Sequence, residues 1–586
     1  MDGGRYQVTV QAVSSDVPGS AANRKTVLLA RTAEATCVAL LPIIAVWLFD
    51  ISIIDQESYV DPYFYTGYAQ SFERMWEVFG QTYYAARFPV MFLNTATQQL
   101  APGFGGYAVA HYISFLVGAI PLYLLARRHF GLTVAAASYA FLVLNPLFPR
   151  IINWDLTTSL SIPAGLSGIA LWLLAKRPWG IAVFGAGFMF AVALNSHIFT
   201  GTAIGIFLAT EFLFSLFRSR GILAFIVKTS TAAAGAVTCV LLGLWFYQAT
   251  VGPVTPGELW AVTANAMKAG RRYAETHYVP LADYYARNYE IYVPLVMTAA
   301  AVVLNRRRLF SDTLDARITW FGVAYLGAYV VAVFVLRMNI VQYFWYFGHL
   351  TIAVFLIVPV VLRQIADKAG STVIPWFIGT LAVISLTVTI AFQTINRMAI
   401  EAAENGAVGL AVLGLGALAV ALLIVRHRLA VTAGAVLCAI VVQASYLSWT
   451  HLSVYNRAEN ASERPLFEII REYHRLLNRY DKPATRVRTW YQTSNVRLLS
   501  VASSNLLFTL QSPWNGPGMP DVGQAERSLL IEERTRYVLL IADDLERVDA
   551  GLQALTAAKV PFTRTETGSW GYAPAQVSVA LIELLK

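Results

Sequence analysis

The stretch SYVDPYFYTGYAQSFERM, residues 58 to 75, follows the first long apolar run of the chain and decides how the remainder is interpreted. It carries two acids, one Arg and many aromatic residues, where a short polar turn would suffice to connect two membrane spans. Asp61 precedes Pro62, an order typical of a helix N-cap followed by proline in the first turn. The aromatic residues then recur mostly every three or four positions. This spacing predicts an amphipathic helix that lies on a membrane surface.

The composition of the chain is that of a polytopic membrane protein. Of its 586 residues, 57% are hydrophobic and 13% are charged, whereas soluble domains carry roughly 25% charged residues. Many apolar runs approach the roughly 20 residues that cross a hydrocarbon core. The first run begins near Val27, after a polar segment, 1–26, that we interpret as a disordered cytoplasmic leader rather than a cleaved signal.

The charges outside these runs predict the topology. Short loops that are rich in Lys and Arg alternate along the chain with longer loops. The longer loops together contain fewer than half as many basic residues as the short ones. Under the positive-inside rule, this alternation places the N-terminus inside and explains the net charge of +9 without a nucleic-acid partner. We predict thirteen spans, centred near residues 40, 116, 140, 166, 186, 207, 236, 297, 327, 353, 382, 415 and 439.

The last part of the chain, 452–586, has a different pattern. A charged helical stretch, LFEIIREYHRLLNRY, is followed by short β-branched runs such as TRVRTWY and RYVLLIADD. Helical and strand patterns therefore alternate, which predicts a small α/β domain. Because an odd number of spans precedes it, this domain is expected on the outside.

The candidate catalytic residues are acids on the predicted outside face. Asp55 and Asp61 follow the first span, and Asp155 lies in NWD between the third and fourth spans. Acids near a membrane usually face a polar cavity, because an unpaired carboxylate there is costly. Asp61 and Asp155 also precede helical patterns, so a capping role remains open for both.

The candidate ligands for a phosphate are cations on the same face. Arg87 precedes Phe-Pro and can hold a phosphate through a charge-assisted fork, or lie among lipid headgroups. Arg337 is the second choice, and Arg271 and Arg272 lie in the second long outside loop. His197 begins the sixth span and is either part of the site or a hydrogen-bonded core residue.

The sequence assigns no metal or covalent chemistry. Patterns such as HExxH, GxSxG and the Walker loop are absent where the topology would let them act. The three cysteines lie inside apolar runs and predict neither a metal cluster nor a disulfide framework. Asp55 and Asp61 are a possible site for a divalent cation, although two acids without a third ligand do not define one.

Taken together, these elements resemble the GT-C superfamily of integral-membrane glycosyltransferases, close to the branch of protein mannosyltransferases and lipid A aminoarabinose transferases. The similar motifs are DPYFYTGYA at 61–69, ARFPVMFL at 86–93 and NWD at 153–155. The resemblance covers the first six or seven spans, and the remainder by architecture. It departs at Pro62, where relatives often carry a second acid.

The resemblance implies a fold and a reaction. The fold would be a polytopic α-helical protein of about thirteen transmembrane helices with periplasmic juxtamembrane helices, within a catalytic domain 27–451, and a small periplasmic α/β domain. The donor would be a sugar on a polyprenyl phosphate, used at the periplasmic face of a bacterial inner membrane with inversion. Asp61 would be the base, supported by Asp155, and Arg87, then Arg337, would hold the lipid phosphate. The acceptor would be a lipid, a glycan or a protein of the cell envelope.

Two other functions remain open at this stage. A polysaccharide polymerase or ligase would use the same donors and would rely on arginines in a late outside loop, such as Arg271 and Arg272. A transporter or flippase would show repeated halves and ionisable residues at mid-membrane. The sequence shows no convincing repeat, and its acids lie near an interface.

Overall fold

The structure is a computed structural model of the chain. It describes residues 21–49, 61–144, 156–217, 221–276, 292–338, 348–369 and 535–585 except 574, residues 148, 152 and 346, and, apart from four single residues, 464–492. The part that precedes residue 370 is helical, and the part that follows residue 463 contains a sheet.

All the regular secondary structure in the described N-terminal part is helical. The first, α1, begins at Ala21, inside the segment assigned to the leader. The helices are α1 (Ala21–Phe49), α2 (Asp61–Gln70), α3 (Phe72–Phe79), α4 (Phe88–Leu100), α5 (Phe104–Phe130), α6 (Leu132–Leu144), α7 (Leu156–Leu174), α8 (Ile181–Ser196), α9 (Thr200–Leu216), α10 (Gly221–Thr250), α11 (Pro256–Thr276), α12 (Tyr292–Asn305), α13 (Leu314–Val330) and α14 (Thr351–Ala369).

Five stretches among the described residues are long and apolar enough to cross a membrane: Leu28–Val46, Gly105–Phe130, Gly221–Thr250, Leu314–Val335 and Gly348–Asp367. The shorter apolar helices are Leu132–Val143, Thr158–Leu174, Ile181–Ser196, Thr200–Leu216 and Val293–Asn305. Each of the first ten predicted span centres falls within one of these helices. The membrane character is therefore confirmed, while the spans predicted near 382, 415 and 439 lie outside the described residues.

Contacts between helix ends show which loops lie on the same side of the helices, and these loops form the two groups that the charge pattern predicts. We call the end that carries the short basic loops the basic face and the opposite end the aromatic face. On the basic face, Arg127 pairs with Glu34 at 3.1 Å, and Arg128 Nη1 donates to the carbonyl of Leu174 at 2.6 Å. On the aromatic face, Tyr247 Oη donates to the carbonyl of Ala85 at 2.6 Å. The predicted alternation is therefore present in these helices.

A polar cluster on the basic face joins four helices. Both carboxylate oxygens of Glu211 accept from Arg317, with Nε at 2.6 Å, and Trp172 Nε1 donates to the same carboxylate at 2.9 Å. Lys228 Nζ lies 4.5 Å from the centre of the Trp172 ring and donates to the Trp172 carbonyl at 2.8 Å. We call Trp172, Glu211, Lys228 and Arg317 the basic-face cluster.

Small residues let the helices approach closely. A Cβ added at Gly187 of α8 would lie 1.8 Å from the carbonyl oxygen of Ala232 in α10, and one at Gly235 of α10 would lie 2.0 Å from that of Phe184. Glycine at both positions therefore allows the two backbones to touch, as is common between membrane helices.

The segment after Asp61 differs from the single surface helix predicted for it. It forms two helices, α2 and α3, separated at Ser71, and the side chains of Tyr65, Tyr68 and Phe72 face protein rather than lipid. Tyr65, Tyr68 and Met75 are fully buried, and the Phe72 ring packs 5.2 Å from the Phe246 ring of α10. The predicted surface helix is corrected, because the periodicity shows an apolar face but not what covers it.

The C-terminal part contains a four-stranded sheet, which confirms the small α/β domain in outline. Its strands are β1 (Arg486–Gln492), β2 (Thr535–Ala542), β3 (Phe562–Tyr572) and β4 (Ala575–Leu584), in the order β1-β2-β4-β3. The β1–β2 pair is parallel and the other two pairs are antiparallel. Helix α15 (Leu545–Ala557) covers one face with Val548, Leu552 and Leu555. Helical residues between 464 and 480 cover the other.

This domain rests on the aromatic face of the membrane part. Ser71 Oγ donates to Asn478 Oδ1 at 3.0 Å, across the point where α2 and α3 separate. A Cβ at Gly103 would lie 3.3 Å from Glu468 Oε1 and 3.4 Å from Arg471 Cδ. The domain is therefore on the same side of the helices as the α2–α4 segment.

Candidate functional site

Arg87 is the best-placed cation of the aromatic face. It occupies the N-cap position of α4 and is followed by Phe88 and Pro89 in the first helical turn, where a missing N–H costs nothing. Its Nη1 donates to the hydroxyl of Tyr65, and its guanidinium lies 4.9 Å from the centre of the Tyr83 ring. A planar cation that is held by a hydrogen bond and packs on an aromatic ring has a fixed orientation, and its shape suits a phosphate.

Asp61 is connected to Arg87 through α2. The helix begins at Asp61, and Tyr65 lies one helical turn later, fully buried. Tyr65 also packs edge-on against Tyr84, with ring centres 5.1 Å apart. The position of Asp61 in the backbone is therefore fixed one turn from the residue that binds Arg87.

His197 approaches the same site from the turn between α8 and α9. Its ring centre lies 5.2 Å from that of His349 and 5.6 Å from that of Tyr346. Burial, together with the charges of His349 and Arg87, holds the pKa of His197 well below its usual value. At neutral pH the imidazole of His197 is therefore uncharged, whereas Arg87 carries a permanent positive charge.

One nitrogen of His197 stays available. Its Nδ1 is buried and has no hydrogen-bond partner among the described residues, and the same holds for the hydroxyl of Thr200, at the start of α9. Buried polar groups are usually paired, so exceptions of this kind are expected where a ligand binds. We call Tyr65, Tyr83, Arg87, His197 and His349 the Arg87 cluster.

The other predicted site residues are not brought into this cluster by the described contacts. Arg337 is exposed, has φ 50°, and makes no side-chain hydrogen bond or ion pair with described residues. Arg271 and Arg272 lie on α11, which is described only for its backbone there. Asp55 and Asp155 lie outside the described residues, and Asp155 directly precedes the first residue of α7.

The sequence analysis missed three members of the site environment: Tyr65, Tyr83 and His349. Two of them could have been predicted from the sequence, because Tyr65 follows Asp61 by one helical turn and Tyr83 precedes Arg87 by four residues. His349 gave no such local signal. Its proximity to His197 depends on how the turn after α8 packs against the start of α14.

A metal ligand set is not present in the part of the chain that the structure describes. That part contains no group of three or more His, Cys, Asp or Glu side chains able to hold an ion. Asp55, one of the two acids considered for a divalent cation, is not in that part.

Neither a family model nor a curated protein matches the chain. The solved structures that are similar to it include two of ArnT from Cupriavidus metallidurans. The structure bound to undecaprenyl phosphate has a TM-score of 0.40 and 13% sequence identity to this chain. The alignment covers 94% of this chain and 98% of the ArnT chain. The apo structure gives a TM-score of 0.41 and 14% identity, over 96% and 98%.

ArnT is a lipid A aminoarabinose transferase of the GT-C kind, so these structures belong to the branch that the sequence resembles. At this identity and TM-score, the similarity assigns no reaction and no residue to the present chain. The function therefore has to be argued from the Arg87 cluster itself.

Proposed function

We propose that the chain is a membrane glycosyltransferase of the GT-C kind, which transfers a sugar from a polyprenyl phosphate to a cell-envelope acceptor. The observation that carries this proposal is Arg87 at the aromatic face, held by Tyr65 and Tyr83, with Tyr65 one helical turn after Asp61 at the start of α2. An oriented guanidinium suits a phosphate, and a nearby carboxylate suits an acceptor hydroxyl.

The reaction needs one base and one stabilised leaving group. The acceptor oxygen attacks the anomeric carbon from the side opposite the phosphate, and its proton passes to the Asp61 carboxylate. The bond between the anomeric carbon and the phosphate oxygen breaks, and its electron pair stays on that oxygen. The products are the glycosylated acceptor and a polyprenyl phosphate, and the configuration of the anomeric carbon is inverted.

Each further residue has a role that follows from charge and position. Arg87 stabilises the negative charge that grows on the departing phosphate, and His197 offers its unpaired Nδ1 to the same group. Asp155 would orient the acceptor with Asp61. The anionic donor would be attracted to the aromatic face by the cations Arg337, Arg271 and Arg272. Asp55 would contribute to this attraction only by holding a divalent cation.

The proposal also includes the topology. The aromatic face would be the periplasmic side of a bacterial inner membrane, with a cytoplasmic N-terminus. The membrane part, 27–451, would hold thirteen spans, and the domain 452–586 would lie in the periplasm. A polyprenyl tail could then remain in the outer leaflet while its phosphate reaches Arg87.

A transfer assay tests the proposal. The purified protein is reconstituted with labelled polyprenyl-phosphate sugars and an extract of cell-envelope lipids and glycans, and the labelled acceptor is measured. We expect transfer by the wild type and a loss of about 100- to 10,000-fold for Asp61→Asn, the range for a general base.

Asp367→Asn is the matched control. Asp367 is exposed on the basic face, where it pairs with Arg363 at 3.5 Å, so this variant should transfer at the wild-type rate. Equal rates for Asp61→Asn and wild type would refute the role of Asp61. The absence of transfer from every donor, with movement of the lipid across the bilayer instead, would refute the reaction and favour a flippase.

A further inference from the structure

The C-terminal domain contains a cavity of about 550 Å³ that the proposed reaction does not use. Sites for small ligands typically measure about 300–1,000 Å³. The cavity lies between the 464–480 helical segment and the strand β3, on the sheet face opposite α15. Its lining includes Glu468, Arg471, Glu472, Arg475, Glu566 and Tyr572.

Four charged side chains of the lining pair with each other, and the fifth, Glu566, pairs with Arg479 outside the cavity. Arg471 lies 3.2 Å from Glu472, and Arg475 Nε donates to Glu472 at 2.8 Å. Glu566 accepts from the Tyr480 hydroxyl at 2.6 Å, which raises the pKa of Tyr480. Paired carboxylates and guanidiniums present fixed acceptors and donors with little net charge, so the cavity does not select a phosphate.

The strand β3 adds aromatic side chains to the cavity. It is an edge strand, and Trp570 and Tyr572 lie on the cavity side because they pair with Val577 and Ala575, which face the 464–480 segment. Gly571, at φ 74°, allows the turn toward β4 because a Cβ there would lie 2.5 Å from the carbonyl oxygen of Ala575. Tyr572 follows with 49% of its surface exposed.

We infer that this cavity binds a carbohydrate, as a subsite for a glycan acceptor. A sugar presents hydroxyl groups that both donate and accept, which match the carboxylates and guanidiniums of the walls. Its apolar C–H face matches an exposed aromatic ring such as Tyr572.

The place of the cavity agrees with an acceptor site. Glu468 and Arg471 line the cavity and also touch Gly103, at the start of α5. The cavity therefore lies on the aromatic face, the same side of the membrane part as Arg87. A glycan held there would be on the side where the donor is proposed to bind. The role as an acceptor site rests on the proposed function, whereas binding of a carbohydrate does not.

A glycan array tests the binding. The labelled full-length protein in detergent is applied to immobilised bacterial cell-envelope oligosaccharides. We expect wild-type binding to a subset of them, and a loss of at least tenfold in affinity for Tyr572→Ala and for Glu472→Ala, which removes the acceptor shared by Arg471 and Arg475.

Arg564→Gln is the control, since Arg564 lies on β3 but pairs outside the cavity with Asp549 at 2.9 Å. It should bind as the wild type does. No binding by the wild type, or equal binding by the cavity variants, would overturn the inference. A peptide paired with the backbone of the β3 edge would give the second result, because these variants keep that backbone.

The transfer assay separates this inference from the proposed function. If both hold, the cavity variants raise the apparent KM for the glycan acceptor at least tenfold and leave the KM for the donor unchanged. Glycan binding without transfer by the wild type would refute the proposed reaction and keep the cavity as a carbohydrate site. Transfer with an unchanged acceptor KM in the variants would refute the acceptor role alone.

Discussion

The chain carries two polar clusters at opposite ends of its helices, and they differ in how their polar atoms are used. In the basic-face cluster, Glu211 accepts from Arg317 and Trp172 with both carboxylate oxygens. In the Arg87 cluster, a buried nitrogen of His197 has no partner among the described residues. The first cluster is complete as it stands and holds helices together. The second has capacity left for a ligand.

The same difference separates two buried threonines. Thr319 Oγ1 accepts from Asn305 Nδ2 at 3.0 Å and donates to the carbonyl of Asp315 at 2.6 Å. The Thr200 hydroxyl, equally buried and next to His197 in the turn, has no partner among the described residues. The Thr319 hydroxyl is therefore satisfied at the basic face, whereas the Thr200 hydroxyl lies at the proposed functional end without a partner among the described residues.

The largest expected effect on stability comes from breaking the basic-face cluster. Arg317→Gln leaves the Glu211 carboxylate buried without its cation, which typically costs about 3–5 kcal/mol. We expect a clear fall in the thermal unfolding midpoint in detergent, and partial recovery when Glu211→Gln is added. An unchanged midpoint for Arg317→Gln would show that the ion pair does not support the bundle.

The two threonines give a matched comparison of intermediate size. Thr319→Val leaves the Asn305 amide without its acceptor and should lower the free energy of unfolding by about 1–3 kcal/mol. Thr200→Val removes a hydroxyl that has no partner among the described residues, so the stability should stay equal or rise. The measurement is the unfolding midpoint of both variants beside the wild type. Equal losses would mean that the Thr200 hydroxyl is also paired.

The smallest expected effect is on the pH dependence of stability. The pKa of His197 is lowered in the folded chain, so below the ordinary His pKa of about 6.5 the unfolded chain binds a proton that the folded chain does not. Stability should therefore fall as the pH decreases from about 6.5 toward the folded pKa. His197→Gln should show a shallower fall in unfolding midpoint over this range. The same slope in both proteins would contradict the lowered pKa.

Much of the fold could be predicted from the sequence, because membrane spans and their sidedness depend on local composition. The apolar runs predicted the helices around residues 40 to 353, and the Lys and Arg of the loops predicted which ends lie together. The α/β pattern after residue 452 predicted the sheet in outline. The order of its strands, with β4 between β2 and β3, had no local signal.

The site could be predicted only in part. Asp61 and Arg87 stood out by residue type near a membrane span. The separation of α2 from α3 at Ser71 did not, since it coincides with a hydrogen bond to Asn478, which is distant in the sequence. For the same reason the burial of Tyr65 and the approach of His349 to His197 required the structure: both depend on helices that are far apart along the chain.

The most direct test of the proposed donor site at Arg87 is the binding of a polyprenyl phosphate to the purified protein. Undecaprenyl phosphate would be titrated into the wild type, Arg87→Gln and Arg363→Gln, which removes a cation on the basic face, and bound lipid would be counted by native mass spectrometry. A charge-assisted hydrogen bond contributes about 1.5–3 kcal/mol. We expect one bound lipid per protein, with an affinity at least tenfold weaker in Arg87→Gln than in the wild type and unchanged in Arg363→Gln. Equal affinity in all three proteins would contradict the proposed donor site.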